Sequence, residues 1–449
     1  MRKHTASGSV ILAAFLLAAC TDAGSESGTF DGRLAESAEE VRTDGQEHAL
    51  VPESDVRVRD DSVIAVPQPE QNLDRSFSPD GAGVGTAAST PVPQLPEWTL
   101  SSSPSLTLGV ADGTPEELFH FVTGAVQLTD GRITVVDTGQ AVVSFFDGSG
   151  GHLRTVGGAG DGPGELRFPG LLPAAAYDSL VVSDNLRISV VGLNGSVTVA
   201  GSSEVADLPR AVIPEGVVVQ RFPDIDVNRG LAASTGPRPA DPDLVIVDPY
   251  SGARTVLASY RYTTDYIVVS DSRGQFNVPL PLRAGLSVTA MAGGELAVVV
   301  GNEGVLRIID PSTGASSSVP LPVAPVPVTR ADVQRITAER LERASARDPM
   351  VAGVIRELPF PDEFPFVESL VPDGTGGVWA RLHPEHAGRL GGDWLALSSS
   401  GEGRALIRVP EEFELFQVGA DFVIGISRDE LGIQRVHRYD LYRERLDRY

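Results

Sequence analysis

Residues 129–157 (TDGRITVVDTGQAVVSFFDGSGGHLRTVG), 177–201 (YDSLVVSDNLRISVVGLNGSVTVAG) and 293–321 (GGELAVVVGNEGVLRIIDPSTGASSSVPL) follow one grammar. Each has a turn, an apolar run of strand length, a second turn, a second run, a Gly-containing turn and a third run. Weaker copies lie at Glu215–Leu257, Asp373–Arg408 and Gly419–Leu441, giving about six units. A unit this short cannot bury its own apolar face, so copies must pack on one another. Short strands at regular spacing with Asp-Gly and Ser-Gly turns therefore predict an all-β chain, a six-bladed β-propeller of small antiparallel sheets.

The repeat also predicts how the ring closes. Five units end in a Gly turn and a further strand, whereas the last ends at YDLYRERLDRY without one. Trp98–Gly109 (WTLSSSPSLTLG) has strand composition and precedes the first full unit, so it is expected to supply the missing outer strand and hide an exposed edge.

One interruption reads as helical. TRADVQRITAERLERASARDP spaces Val333, Ile336, Leu341 and Ala344 at helical intervals, with Thr329 as N-cap and Arg335, Glu339 and Arg343 as i,i+4 charges. It predicts a helix over about 330–346, and Asp348-Pro349 opens a second short one. The insertion, about 330–358, falls between blades 4 and 5 and is expected to brace one end of the ring.

The N-terminus sets the compartment. Arg2 and Lys3 precede an apolar run at 9–19, too short to span a membrane stably, and LAAC at Leu17–Cys20 resembles a bacterial lipobox. Residues 1–20 are thus expected to be a lipoprotein signal peptide, cleaved before Cys20, whose acyl chains anchor the chain outside the cytoplasm. That places it in the bacterial cell envelope, on the outer membrane or an extracytoplasmic face. Cys20 is the sole cysteine, which leaves no disulfide and no cysteine-based metal site. Residues 21–96 are rich in Ser, Gly, Pro, Asp and Glu without apolar periodicity, the composition of a disordered acidic tether reaching about 50 Å.

Charge excludes further classes. With 36 basic against 60 acidic side chains the formal net charge is -24, which repels nucleic acid. Lys3 is the only lysine, so the mature chain offers none for a Schiff base or a phosphate-binding loop. The stretch TVGGAGDGPGELRFPG (155–170) is Gly-rich but holds Pro163 and Pro169, has no Lys and opens no helical pattern. It reads as the passage from the outer edge of one blade to the inner strand of the next.

LTDGRITVVDTGQAVVSFFDGSGGHLRTVGGAGDGPGELRFPG resembles the NHL-type repeat, and residues 97–449 as a whole resemble a family of six-bladed β-propeller bacterial lipoproteins. PDGTGGVWARL around Trp379 and DFVIGISRDELGIQRVHRYDL match the same family. The resemblance implies the fold and leaves activity open. Some enzymes that resemble this fold, sugar lactonases and amidating lyases, gather acidic residues and histidines around a metal in the central channel.

Asp224, Asp226 and Asn228 in DIDVNRG alternate as in calcium loops, but Arg229 and Thr235 stand where such a loop needs Gly and a bidentate Glu. A solvated loop is the better reading, with calcium the one cofactor in view. His383 and His386 in LHPEH lack a third ligand, and Pro384 argues for a strand-to-turn passage, so they read as surface histidines. Asp137 and Asp184 recur at the end of a unit's second run, where a carboxylate accepting backbone N–H groups at a turn explains them. Candidates at the channel mouth, the concave place where inner strands converge, are His120, Arg167, Arg210, Arg283 and Glu368. The reading that results is a monomeric, lipid-anchored scaffold that binds a protein or glycan without catalysis. A metal-dependent lactonase- or lyase-like enzyme is the alternative.

Overall fold

In the first repeat the two middle strands are wholly or nearly wholly buried while the last is exposed along most of its length. That gradient is what a small sheet shows when its centre is covered on both faces by other sheets and its outer edge meets water. The computed structural model describes residues 95–443 except 175, 205–206, 223–238, 241, 261, 264–265, 272–273, 283–284 and 346–348. All belong to one of the two units into which the chain divides, the other being Ala13–Thr90.

After β1 (Glu97–Leu100) and β2 (Leu106–Leu108) come two four-stranded antiparallel sheets. The first is β3 (Val122–Gln127), β4 (Ile133–Asp137), β5 (Val142–Phe146) and β6 (His152–Gly157). The second is β7 (Pro169–Leu171), β8 (Ser179–Asp184), β9 (Arg187–Gly192) and β10 (Val197–Ser202). A third combines β11 (Asp207–Ile213) and β12 (Gly216–Arg221) with β14 (Asp243–Val247) and β15 (Arg254–Ser259). Beside it, β13 (Pro239–Ala240) pairs with β16 (Tyr262–Thr263), and β17 (Tyr266–Asp271) with β18 (Gly274–Pro279) forms a hairpin absent from the repeat. The fourth sheet is β19 (Leu286–Ala290), β20 (Leu296–Val300), β21 (Val305–Ile309) and β22 (Ser316–Pro320).

The remaining strands form one nine-stranded sheet. Its first run is β23 (Val367–Pro372), β24 (Val378–Leu382), β25 (Trp394–Leu397) and β26 (Gly403–Ile407). Its second run is β27 (Glu414–Val418), β28 (Phe422–Arg428) and β29 (Gln434–Tyr442), with β2 paired on β29 as a fourth strand. β1 joins the runs: Glu97 and Trp98 pair with β26 in parallel, and Thr99 and Leu100 pair with β29 antiparallel. The N-terminal segment thus supplies the outer strand that the last repeat lacks.

Apolar clusters link each of these strand groups to the next. Phe145 packs with Leu180 and Val191, and Ile188 with Val217 and Val245. Ile246 packs with Val288, Leu306 with Leu395, and Trp394 with Val423. Ile424 and Val436 then return to Val135 and Phe146 of the first sheet. The architecture is all-β and propeller-like. At the passage between β6 and β7, Gly157 and Gly158 have φ values of 99° and 121°, and a Cβ on Gly157 would lie 2.7 Å from the Ala141 carbonyl oxygen. The Gly-rich stretch is a bend between sheets, as its sequence predicts.

The α-helices of the described residues are α1 (Arg330–Ser345), α2 (Pro349–Glu357) and α3 (Pro384–Leu390). Thr329 caps α1: Asp332 N–H donates to its hydroxyl at 3.3 Å, and its own N–H donates to the Asp332 carboxylate at 3.0 Å. Arg335 and Arg343 pair with Glu339 at 3.5 and 3.8 Å. The apolar faces of α1 and α2 cover Val278 at the end of β18 and Leu280 just beyond it, through Leu341, Ile355 and Leu358. The insertion therefore rests on the unforeseen hairpin. Helix α3 is a correction: Pro384 starts a helix after His383, because proline's missing N–H and fixed φ suit the first helical turn.

One network pins the chain ends. Arg443 donates to both carboxylate oxygens of Asp373, at 2.8 and 2.9 Å, and its guanidinium lies 4.8 Å from the Trp98 ring centroid. Trp379 Nε1 donates to Asp373 at 2.9 Å, and its ring lies 6.2 Å from that of Trp98. Burial pushes the Asp373 carboxyl up, but Arg443 and Thr375 outweigh it and hold it below the ordinary carboxylate range. Arg443→Met leaves a buried carboxylate unpaired and is expected to cost about 3–5 kcal/mol in urea unfolding at neutral pH. Adding Asp373→Asn should recover part of that loss; an unchanged midpoint for the single variant would remove the clasp.

Candidate functional site

Strand registers give the sheets two unlike ends. At one end lie the turns from first to second strand and from third to fourth, and none is longer than 172–178. Five of the latter open on Asp147, Asn194, Asp248, Asp310 or Ser398, whose side chain accepts an N–H two to four residues on. At the other end, where the inner strands begin, lie the connections 158–168, 260–285 and 321–366, together with all three helices. Among the described residues, the connections longer than seven residues between sheet strands all lie there.

Asp137 and Asp184 organise that end. Asp137 accepts the N–H groups of His120, Phe121 and Gly139 at 2.8–3.0 Å, and Asp184 those of Arg167 and Phe168 at 2.6 and 2.7 Å. His120 and Arg167 hence occupy equivalent positions, two residues before β3 and β7, and both are exposed. Their carboxylate partners are turn-builders, as read from sequence. Arg167 pairs with Asp161, and next to it Phe168 leaves 64% of its surface exposed. Arg210 lies within the inner strand β11, its Nε donating to Gln220 at 2.9 Å. Cys20, Asp224, Asp226, Asn228 and Arg283 lie outside the described residues.

Glu368, the second residue of β23, belongs to a charge cluster that sequence reasoning did not assemble. Arg381 on β24 reaches Glu368 at 3.3 Å. It also acts on Glu414, the first residue of the neighbouring inner strand β27, together with Arg428. Arg428 stands 5.9 Å from the Phe121 ring centroid, with its Nε buried and unpartnered. Burial pushes both carboxyls up against the pull of the arginines. Glu368 nevertheless keeps 35% of its side-chain surface. Glu414 is half-buried. Arg381, Glu414 and Arg428 become visible only when the register aligns β24, β27 and β28. Two partly desolvated carboxyls beside two guanidiniums suit recognition of a polar ligand.

LHPEH also differs from its sequence reading. His386 is 1% exposed and stacks on Phe366 with centroids 5.0 Å apart, while His383 packs on Phe364 at 5.2 Å. His386 is buried and His383 half-buried, and no cluster of three or more His, Cys, Asp or Glu able to hold a metal occurs among the described residues. A recess of about 380 Å³ between Trp98–Ser102 and Arg408–Pro410 lies at the β1 seam and shares no residue with the charge cluster. No helix of the described residues is long and apolar enough to cross a membrane.

No family model matches the chain, and no curated protein matches it. Among solved structures it is similar to the calcium-binding protein regucalcin from Agrobacterium tumefaciens, at 12% identity and a TM-score of 0.38 over 77% of this chain and 96% of that one. It is also similar to a DUF4221 family member from Bacteroides vulgatus (9%, TM-score 0.43, 76% and 98%). A third is virginiamycin B lyase from Staphylococcus aureus (10%, TM-score 0.34, 75% and 98%). Likeness at this level says nothing of what this chain binds.

Because Glu414 titrates higher when folded than its ordinary 4.5, the folded state binds the proton more tightly than the unfolded one. Its contribution to stability is fully present below pH 4.5 and is lost as pH rises through the folded value. Glu414→Gln should therefore gain on the wild type above pH 4.5 in denaturant titrations, by up to about 1 kcal/mol. A constant difference from pH 4 to 7 would show that Glu414 is not desolvated.

Proposed function

We propose that this chain is a lipid-anchored, six-bladed propeller of the bacterial envelope that binds a protein or glycan at the end where its inner strands begin. The observation that carries the binding reading is one-sidedness among the described residues: turns of seven residues or fewer at one end, and the longer connections, the three α-helices and the Glu368–Arg381–Glu414–Arg428 cluster at the other. Loops on a rigid sheet scaffold are where recognition is ordinarily built. The count of six treats the nine-stranded sheet as two blades bridged by β1, in keeping with its two four-strand runs and with six apolar contacts that lead back to the first sheet. The NHL-like repeat and the lipobox-like LAAC support the family and the anchor. The enzyme alternative draws on Glu414, whose raised carboxyl is the kind of group a general acid needs.

Two experiments test this reading. Cys20→Ser should move the full-length protein from the membrane to the soluble fraction; retention at the membrane would remove the lipid anchor. A photocrosslinking residue placed at exposed Phe168, at the elaborated end, should give envelope adducts in the native membrane, while one at Tyr250, at the plain end and 76% exposed, should not. Adducts from Tyr250 alone, or from neither, would overturn the choice of face.

A further inference from the structure

Helix α3 begins in an unusual way. Its N-cap is His383, whose Nδ1 accepts the N–H of Glu385 at 3.4 Å, a role ordinarily played by Ser, Thr, Asp or Asn. An imidazole can do this only while that nitrogen is unprotonated. Its surroundings favour the neutral ring: Phe364 covers one face, and His386, stacked on Phe366, sits one turn along the same helix. Arg335 of α1 also acts on it. His386 in turn feels Arg389 and Glu385 of its own helix. Its Nε2 makes no sound hydrogen bond, although the carbonyls of Phe364 and Ala324 lie close enough to favour a proton. The same first turn carries the link to the helical insertion, Arg335 to Glu385 at 3.6 Å.

We propose that His383 is an acid-sensitive latch: protonation of Nδ1 uncaps α3, sets a positive charge against the helix N-terminus and Arg335, and frees α3 and α1 from each other at the elaborated end. The device does not depend on which ligand binds there. Its range follows from burial, which pulls His383 down from 6.5 to about 4, with His386 also lowered. For a group held neutral when folded, stability is complete above the unfolded value and is lost as pH falls toward the folded one. The latch therefore holds above pH 6.5 and weakens progressively down to about pH 4.

Hydrogen exchange of the full-length protein from pH 7 to 4, corrected for intrinsic rates, tests this. Protection of the 385–391 and 330–345 amides should fall by up to about tenfold per pH unit below the onset, as expected for one linked proton. The capped turn at 398–402 should keep its protection. His383→Asn retains a capping acceptor without titrating, so it should hold protection at acid pH; His383→Phe should lose it at every pH. An acid loss in His383→Asn equal to that of the wild type, or full protection of wild-type α3 at pH 4, would overturn the latch. A uniform loss that includes 398–402 would also do so, by showing global acid unfolding instead.

Discussion

A small antiparallel sheet has a backbone edge that must be paired, covered or left to water, and the design of this protein follows from how that constraint is met. Each outer strand tolerates exposure, as β6 and β22 do with His, Arg and Ser side chains. The chain ends cannot rely on that, because the last repeat stops one strand short. β2 completes it and β1 stitches it to the preceding run, so strands near residue 100 pair with strands more than 300 residues further along. The contacts that fix this seam are long-range in sequence, which costs loop-closure entropy before they are rewarded. The Asp373–Arg443–Trp98–Trp379 network supplies directional bonds where the β ladder is only two residues long on each side.

With the edges settled, the two ends of the sheets are free to diverge. Five turns at the plain end are held by a side chain two to four residues from the backbone N–H it accepts, a purely local support. The elaborated end is interdependent: α1 and α2 lean on the hairpin through Val278 and Leu280, and α1 meets α3 through Arg335. Long segments there are ordered by one another rather than by the ring alone. Such elements open at lower free energy than core strands, which is the property expected of parts that move.

Features legible in the sequence were those encoded over short range. The repeat, the missing outer strand, the Thr329 cap and the turn roles of Asp137 and Asp184 each depend on residues close together or on a pattern said several times. Other features failed for physical reasons. Pro384 was read as a break because proline stops a helix it cannot begin, yet here it stands at the first turn. His383 and His386 look like surface residues until Phe364 and Phe366 are folded over them. Glu414 and Arg381 belong to different repeats, and nothing short of the strand register brings them near each other. The β17–β18 hairpin carries the same strand signal as the blades, so composition alone could not set it apart.

The seam has a mechanical consequence. Leu95 and Pro96 still run alongside β26, with Leu406 N–H bonded to the Pro96 carbonyl at 2.9 Å, before the chain enters β1. A pull applied upstream of Leu95, along that strand, loads its cross-strand hydrogen bonds together in shear instead of peeling them one at a time. The point where the described chain enters the nine-stranded sheet thereby coincides with the seam that β1 makes between its two runs.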